Sequence, residues 1–302
     1  MLIDGSTRVL IQGITGRLAQ SEMRRMLEYG TKVVAGVVPG RRGAEVAGVP
    51  VYDTVGEAVD CHAPDASCLY VPAPAIREAA TEAIDAGIRL LMIPTERVPL
   101  HDICEILERA GEAGAKVLGP NSQGMVVPGR ARLGGAGGDF AFEVFRPGPV
   151  GVISRSGGMG VEICHLLTKA GIGQSTYVSI GSEILQGLSF ADLLVMFEED
   201  GATEVTVLFG EIGTSYEEDA AEVITSRRIT KPVVVYVAGQ YMEELPSGLR
   251  FGHSGAIIEG NRGKPSTKME AFRAGGALVA STPEEIPTLV NEALFRRLPR
   301  AD

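Results

Sequence analysis

The sequence predicts an α/β protein whose strands form parallel, doubly wound sheets. Short apolar runs alternate with longer helical patterns along nearly the whole chain, which is typical of repeated βαβ units. A glycine-rich turn joins a strand to a helix near residue 13 and again near residue 157. At 302 residues the chain is long enough for two domains, each with its own core.

The elements of the first half are predicted from short runs rich in Val, Ile and Leu, and from longer segments rich in Ala and charged residues. Strands are expected at residues 8–12, 32–37, 66–71, 89–93 and 116–118. Helices are expected between them, at residues 20–29, 55–59, 75–86 and 100–113. The alternation predicts that these strands run parallel in one sheet.

The same alternation resumes in the second half. Strands are expected at residues 150–153, 174–180, 204–209 and 232–238, and helices at 161–170, 190–199, 217–226 and 283–295. The glycine-rich stretch between the halves shows no periodicity. We therefore predict one domain at residues 1–124, a connection at 125–148 and a second domain at 149–302.

Composition limits the classes of partner. The net charge of −10 argues against non-specific nucleic-acid binding, which requires a basic surface. The four cysteines form no CxxC pair, so free thiols in a reducing compartment are expected and no metal site is predicted. The sequence shows no signal-peptide pattern and no apolar run of membrane-spanning length. We therefore expect a soluble cytoplasmic protein without a membrane partner.

The first glycine turn, residues 13–19, follows a strand and opens a helix, an arrangement that presents backbone N–H groups to phosphate. Many such turns are only tight connections, and here Ala19 occupies the place of the third glycine of a dinucleotide fingerprint. A second turn carries Arg41 and Arg42, which suit an anion but also fit a solvated basic loop. NAD binding is disfavoured, because the second strand ends at Pro39 and arginines where an acid would hold the ribose.

The second half offers a further anion site and a candidate nucleophile. A loop of glycine and hydroxyl residues precedes a helix, and its candidate phosphate-binding residues are Ser154, Arg155, Ser156, Gly157 and Gly158. His253 lies between Gly252 and Gly255, so its neutral imidazole can be presented as a nucleophile, although an ordinary loop histidine fits as well. Glu211 ends a strand at the same predicted edge, where it can orient an imidazole or serve as a surface acid.

Eight short motifs follow one another in an order that resembles the α subunits of succinyl-CoA synthetases over nearly the whole chain. In sequence order they are GITG, VVPGRRG, YVPAPA, PTERVP, GPNSQG, ISRSGG, GEIG and FGHSGAII. The last two, at residues 210–213 and 251–258, are the most telling. Eight motifs in one order are much harder to obtain by chance than any single motif.

The resemblance implies a Rossmann-like CoA-binding domain followed by a flavodoxin-like ligase domain. It implies that phosphate passes from a nucleotide to His253, which Glu211 hydrogen-bonds, and then to a small carboxylic acid, giving an acyl phosphate that the CoA thiol attacks. ATP or GTP with Mg²⁺ would bind to a partner β subunit with an ATP-grasp domain, so a hetero-oligomer is expected. This chain contains no Walker A sequence, which agrees with that division of labour.

The CoA-binding residues are transferred from the family by position. The resemblance implies that CoA lies along one turn and near one arginine, and that a second turn borders its other side: Thr15, Gly16, Arg17 and Leu18, then Arg41, then Pro94, Thr95 and Glu96. CoA is thus expected as a substrate bound by the first domain.

The chain departs from the family pattern beside the acid site. Succinate enzymes usually continue the SRSG motif with two threonines and a substrate-lining tyrosine, whereas this chain has Gly158, Met159, Gly160 and Val161. Fewer hydroxyl groups and less bulk predict a wider, less polar pocket bordered by Val161. Malate, citrate or a bulkier acid is therefore an alternative to succinate.

Two other classes of function stay open at this stage. An NAD-dependent Rossmann oxidoreductase would share the first domain, although Arg41 and the missing third glycine disfavour it. A CoA-binding regulatory module without turnover would also fit that domain. The presence of both Glu211 and His253 favours a ligase over such a module.

Overall fold

The computed structural model describes residues 2–245, 255 and 263–297. Its residues group into two compact units. The N-terminal unit comprises residues 2–142 together with 179–188, and the C-terminal unit comprises residues 143–178 together with the described residues that follow 188. The predicted domain limits at 124 and 149 stay a prediction, and each unit is described below by itself.

The N-terminal unit contains a seven-stranded sheet, together with the antiparallel strands β8 and β9, which belong to the second seven-stranded sheet. Its strands are β1 (Arg8–Gln12), β2 (Lys32–Val37), β3 (Glu45–Val46), β4 (Val49–Tyr52), β5 (Ala66–Leu69), β6 (Leu90–Met92), β7 (Lys116–Leu118), β8 (Gly124–Val127) and β9 (Ala131–Leu133). Its helices are α1 (Arg17–Glu28), α2 (Val55–His62), α3 (Ile76–Asp85) and α4 (Leu100–Ala113). The sheet order is β3-β4-β2-β1-β5-β6-β7, and only the β3–β4 pair in it is antiparallel.

This strand order places a crevice at one edge of the sheet. The chain moves outward from β1 through β2 to β4 and then returns to the other side of β1 at β5. In doubly wound sheets ligands bind beyond the carboxyl ends of the strands at this reversal point. The turns after β1, β2, β5 and β6 therefore lie at the edge of the sheet where ligands bind in folds of this type.

The strand order of the C-terminal unit also contains a reversal point, but the order itself differs from that of the N-terminal sheet. Its elements are α5 (Ala141–Val144, which begins in the N-terminal unit), β10 (Pro147–Ser154), α6 (Gly157–Lys169), β11 (Gln174–Ser179), α7 (Phe190–Glu199), β12 (Val205–Gly210), α8 (Tyr216–Thr225), β13 (Val233–Val237), α9 (Pro265–Ala274), β14 (Leu278–Val279) and α10 (Ile286–Arg297). The strand order β14-β13-β12-β10-β11 is the flavodoxin-like order 2-1-3-4-5 read in reverse. The reversal point lies between β10 and β12.

Burial explains why these segments form central strands. All six residues of β12, VTVLFG, are buried, as expected for a parallel strand covered on both faces. Helix α4 instead buries Ile103, Ile106 and Ala110, whose spacing of three and four residues produces one apolar face. The predicted α/β fold class, with a Rossmann-like sheet followed by a flavodoxin-like sheet, is confirmed.

Some elements differ from the sequence expectation. The stretch expected to be a connection contains the antiparallel pair β8–β9, helix α5 and the start of β10. All residues of β8 and β9 are buried, so the strands show no polar alternation that could reveal them. Helix α9 and the two-residue strand β14 were also not predicted.

Two further features bear on the expected environment. The four cysteines are free thiols, of which Cys68 and Cys164 are buried and Cys61 and Cys104 are exposed. None of the helices in the described ranges is both long enough and apolar enough to span a membrane.

Candidate functional site

The turn after β1 exposes the four residues predicted to lie along CoA. Thr15, Gly16, Arg17 and Leu18 are all exposed, and Leu18 keeps 62% of its surface accessible. The turn is fixed by its own backbone, because the Gly16 N–H donates to the Gly13 carbonyl at 2.9 Å. Gly16 caps α1 without a side chain, so the first N–H groups of this helix have no side-chain acceptor from the cap. This geometry suits a phosphate group.

Arg41 lies on the turn that follows β2. The carboxylate of Asp53 accepts the backbone N–H groups of Arg41 and Arg42, at 2.9 and 3.0 Å, and so fixes the turn. The Arg42 guanidinium pairs with Glu57 at 2.9 Å. Within residues 2–245 and 263–297 no carboxylate pairs with the exposed guanidinium of Arg41, which leaves that group available to an anion.

The turn after β6 carries Pro94, Thr95 and Glu96. The Thr95 hydroxyl donates to the Val71 carbonyl at 2.9 Å, which ties this turn to the end of the neighbouring strand β5. Pro94 and Thr95 are half-buried, whereas Glu96 is exposed. Topology therefore brings this turn to the same sheet edge as the turn of residues 13–18, and binding of CoA by these residues stays a prediction.

In the C-terminal unit the predicted phosphate loop forms the start of α6. The Ser156 side chain caps the helix by accepting the Met159 N–H at 3.4 Å, and the Ser154 hydroxyl donates to the Ser156 carbonyl at 2.6 Å. Gly157 and Gly158 are the first two residues of the helix, so their N–H groups have no acceptor within it. The positive end of the helix dipole reinforces this anion-binding geometry.

Arg155 has a different environment from the rest of the loop. Its backbone N–H donates to the Phe209 carbonyl at 3.2 Å, and its side chain is fully buried. The guanidinium Nε lies 3.5 Å from Oε1 of Glu211, and Nη1 donates to Thr214 Oγ1 at 2.6 Å. The guanidinium thus forms an ion pair with the carboxylate of Glu211, and the predicted contact of Arg155 with phosphate stays a prediction.

The structure corrects one part of the predicted pocket. A Cβ atom at Gly158 would meet nothing within 4 Å, as expected for an open position. A Cβ atom at Gly160 would lie 2.6 Å from the ring of Tyr177, so this space is filled. Tyr177 comes from β11 and donates to the Gly157 carbonyl at 3.1 Å. Gly160 therefore makes room for Tyr177 and does not widen a pocket; Val161, which follows it, is half-buried on α6.

Sequence reasoning missed the charged residues packed beneath Glu211. His253 itself lies outside the described residues. In the described part of the C-terminal unit, the fully buried Lys268 pairs with Glu217, and the carboxylate of Glu218 lies 3.9 Å from the same ammonium group. Burial raises the pKa of Glu218 above its ordinary value, and the attraction of Lys268 only partly offsets this. Glu217 could have been found, because it lies on the buried face of α8 with Ala220, Ala221 and Ile224.

Two of the solved structures with the same fold are ATP citrate lyases. The enzyme of Methanosaeta concilii in complex with (3S)-citryl-CoA matches 99% of this chain and 51% of its own, with a TM-score of 0.90 and 25% identity. The enzyme of Methanothrix soehngenii in complex with citrate and coenzyme A matches 100% and 52%, also with a TM-score of 0.90 and 25% identity. The chain thus spans about half the length of these lyase chains.

Two sequence-family models match in the order of the two predicted domains. Residues 4–97 match the CoA binding domain, and residues 147–291 match the succinyl-CoA ligase like flavodoxin domain. The first match includes every residue predicted to contact CoA, and the second includes the loop at the start of α6, Glu211 and His253. The CoA domain and the flavodoxin-like domain implied by the sequence motifs are confirmed.

Curated relatives match the chain almost from end to end. The succinate–CoA ligase [ADP-forming] subunit alpha 2 of Archaeoglobus fulgidus is 47% identical over 97% of this chain and 99% of its own. The corresponding alpha subunits of Methanothermobacter thermautotrophicus and Aquifex aeolicus are 44% and 42% identical, over 95% and 97% of this chain. This similarity establishes that the chain belongs to the family of succinate–CoA ligase alpha subunits, whose members are acid–thiol ligases with a CoA-binding domain.

Proposed function

We propose that the chain is the alpha subunit of a nucleotide-dependent carboxylic acid–CoA ligase that works through a phosphorylated His253. The observation that carries the proposal is the ion pair of Glu211 with Arg155, two residues before α6, at the reversal point of the C-terminal sheet. A carboxylate suited to orienting an imidazole and a helix N-terminus suited to phosphate lie on neighbouring strands, β12 and β10. The family membership of the chain supports the same chemistry.

The proposed reaction has three transfers. An imidazole nitrogen of His253 attacks the terminal phosphorus of the nucleotide, and the bond to the bridging oxygen breaks to release the nucleoside diphosphate. A carboxylate oxygen of the acid then attacks phosphorus, the nitrogen–phosphorus bond breaks, and an acyl phosphate forms. The CoA thiolate attacks the acyl carbon and phosphate leaves.

The residues of this chain supply binding and orientation in that scheme. Glu211 accepts a hydrogen bond from one nitrogen of the imidazole. This bond keeps the ring in the tautomer whose other nitrogen is unprotonated and can act as the nucleophile. The N–H groups of Gly157 and Gly158 stabilise the phosphoryl oxygens, and each contact near a helix N-terminus contributes about 0.3–1 kcal/mol. Ser154, Ser156 and Arg155 fix this loop, while Thr15 to Leu18, Arg41 and Pro94 to Glu96 bind CoA.

The nucleotide is proposed to bind elsewhere. The relatives are alpha subunits, which supports a partner β subunit carrying an ATP-grasp domain, ATP or GTP, and Mg²⁺. The active protein would then be a hetero-oligomer. We also propose a cytoplasmic location, because the reaction consumes nucleotide and CoA.

A second candidate concerns the acid. Val161 takes the place of a tyrosine that is usual in the family, and the position at Gly158 is open, so both favour an acid larger than succinate. Other proteins with this fold, the ATP citrate lyases, have been solved with citrate or (3S)-citryl-CoA bound. Malate and citrate are therefore the alternatives to succinate. Initial rates of the co-expressed pair with each of the three acids decide between them.

The decisive experiment is phosphate labelling of this chain. We expect the chain, mixed with its β subunit and Mg²⁺ with [γ-³²P]ATP, to acquire an acid-labile, base-stable label. His253→Ala should abolish the label, whereas His101→Ala should keep it, because His101 is exposed on α4. Equal labelling of wild type and His253→Ala would refute the proposal. Calorimetric titration with CoA and with NAD would separately exclude the oxidoreductase alternative if only CoA binds.

A further inference from the structure

A lysine–glutamate pair lies fully buried beneath the turn that follows β12. The Nζ atom of Lys268 lies 2.5 Å from Oε2 of Glu217, and both side chains are 0% exposed. Taking two charges out of water is costly, and a well-packed apolar pair often stabilises a protein equally well. Stability alone therefore does not account for this pair, and its other contacts indicate a more specific role.

Those contacts hold the backbone of Glu211 at both of its polar groups. The ammonium of Lys268 donates to the carbonyl oxygens of Glu211 and Gly213, at 2.8 and 2.5 Å, in addition to Glu217. The second carboxylate oxygen of Glu217 accepts the Glu211 N–H at 3.0 Å. Gly210 permits this approach, because a Cβ atom there would lie 2.7 Å from Cγ of Glu217. The pair thus fixes where the Glu211 side chain begins.

The side chain of Glu211 is held separately. Arg155 contacts its carboxylate and donates to Thr214, and the guanidinium lies 5.7 Å from the centre of the Tyr216 ring. Thr214 has a φ of 50°, a conformation that is unfavourable for a β-branched residue and that persists only where the surroundings enforce it. The turn is therefore held in one geometry by contacts on both sides.

The same turn is bound to the chain that follows the His253 segment. The Gly213 N–H donates to the Gly263 carbonyl at 2.8 Å, and Lys268 lies in the first turn of α9. We propose that Lys268 and Glu217 are positioning residues, which hold the Glu211 carboxylate where it orients the imidazole of His253. This inference rests on the proposed function. A displacement of about 1 Å in such an arrangement can slow a reaction about 100-fold.

The test measures phosphorylation rates of the complex with the β subunit, using Mg²⁺ with [γ-³²P]ATP. Lys268→Met should slow labelling about 10–100-fold, while CoA binding stays unchanged. Because that variant leaves Glu217 buried without its partner, a second variant, Lys268→Met with Glu217→Leu, removes both charges and is expected to fold. It should still label slowly.

The matched control is Lys231→Met. The Nζ atom of Lys231 also donates to two backbone carbonyls of the C-terminal unit, those of Phe197 and Asp200 at 2.7 Å each, but it lies before β13 at the opposite end of the strands. Its removal should leave the labelling rate within about twofold of wild type. A similar slowing in this control would show that any lost lysine anchor has the same effect and would overturn the inference.

A double-mutant cycle separates positioning from general disruption. If Lys268 acts through Glu211, Lys268→Met should slow labelling of the Glu211→Gln variant far less than it slows wild type. Equal slowing in the wild-type and Glu211→Gln backgrounds would overturn the inference. Normal labelling by the folded Lys268→Met, Glu217→Leu double variant would overturn it as well. Absence of label in wild type would instead refute the proposed function, and with it this inference.

Discussion

Replacing Gly160 by alanine tests whether Tyr177 fills the space beside α6. The new Cβ atom would lie 2.6 Å from Cβ of Ser154, 2.6 Å from Cε2 of Tyr177 and 2.8 Å from its hydroxyl oxygen. Contacts this short require the ring or the helix to move. The ring is fully buried and its hydroxyl is bonded to the Gly157 carbonyl, so it has little freedom to do so.

The expected magnitude follows from two opposing effects. Overpacking a well-packed site costs about 1–3 kcal/mol of unfolding free energy. Alanine in a helix gains about 1 kcal/mol over glycine. Gly158→Ala is the matched control, because it lies in the same turn and its Cβ atom would meet nothing within 4 Å. The gain in helix propensity applies to both variants and cancels when they are compared. We therefore expect Gly160→Ala to be about 1–3 kcal/mol less stable than Gly158→Ala, which is the cost of overpacking alone.

Urea unfolding of the full-length variants measures this difference directly. Tyr177→Leu, which removes the ring, should reduce the cost of Gly160→Ala, giving a coupling energy of about 0.5–3 kcal/mol between the two positions. If Gly160→Ala and Gly158→Ala differ by less than about 0.3 kcal/mol, Tyr177 does not occupy this space as described. Additive effects of the Gly160 and Tyr177 variants would contradict the reasoning in the same way.

Three further predictions concern binding, specificity and pH. Arg41→Ala should weaken CoA binding by about 1–3 kcal/mol in calorimetry. Arg42→Ala should change CoA binding little, because the guanidinium of Arg42 already pairs with Glu57. A larger loss of CoA affinity in Arg42→Ala than in Arg41→Ala would contradict the assignment. Val161→Tyr should shift the ratio of kcat/KM values toward succinate by about 1–3 kcal/mol, and an unchanged ratio would show that Val161 does not border the acid. Glu218→Gln should stabilise the chain at pH 7 by about 0.5–1 kcal/mol, because the raised pKa of Glu218 means that ionisation opposes folding. This gain should vanish as the pH falls below the ordinary carboxyl pKa of 4.5, and a gain that persists there in urea unfolding would exclude the mechanism.

Much of the fold could be predicted because the central strands are long and apolar while the helices have one-sided patterns. Strands β1, β2 and β7 and helices α4 and α7 have the predicted bounds. The pair β8–β9 was missed because it is short, buried throughout and interrupted by a Pro-Gly turn, so its composition resembles that of a loop. Helix α9 was missed because its buried face contains Lys268 and a proline, which weaken the apolar pattern.

The candidate site was predictable where a local sequence carries the chemistry. A glycine turn before a helix is visible in the sequence, and so is an acid at the end of a strand. The partners of these residues were not visible, since Lys268 is 57 residues from Glu211 in the sequence and Tyr177 approaches α6 from a different strand. A charged residue on an otherwise apolar helix face, as at Glu217, is the one local signal that points to such a buried network.

The register of two strands explains why Arg155 and Glu211 meet. Ser154 at the end of β10 lies beside Phe209 in β12, so the residues just beyond these two emerge from the same edge of the sheet. Arg155 then begins the loop that leads into α6, and Glu211 begins the turn that leads into α8. A shift of β12 by one residue would turn the carboxylate to the opposite face. The buried contacts of Lys268 and Glu217 with the Glu211 backbone oppose such a shift. Because Glu217 lies on α8 and Lys268 on α9, the position of the Glu211 carboxylate in the predicted phosphohistidine site depends on the packing of these two helices.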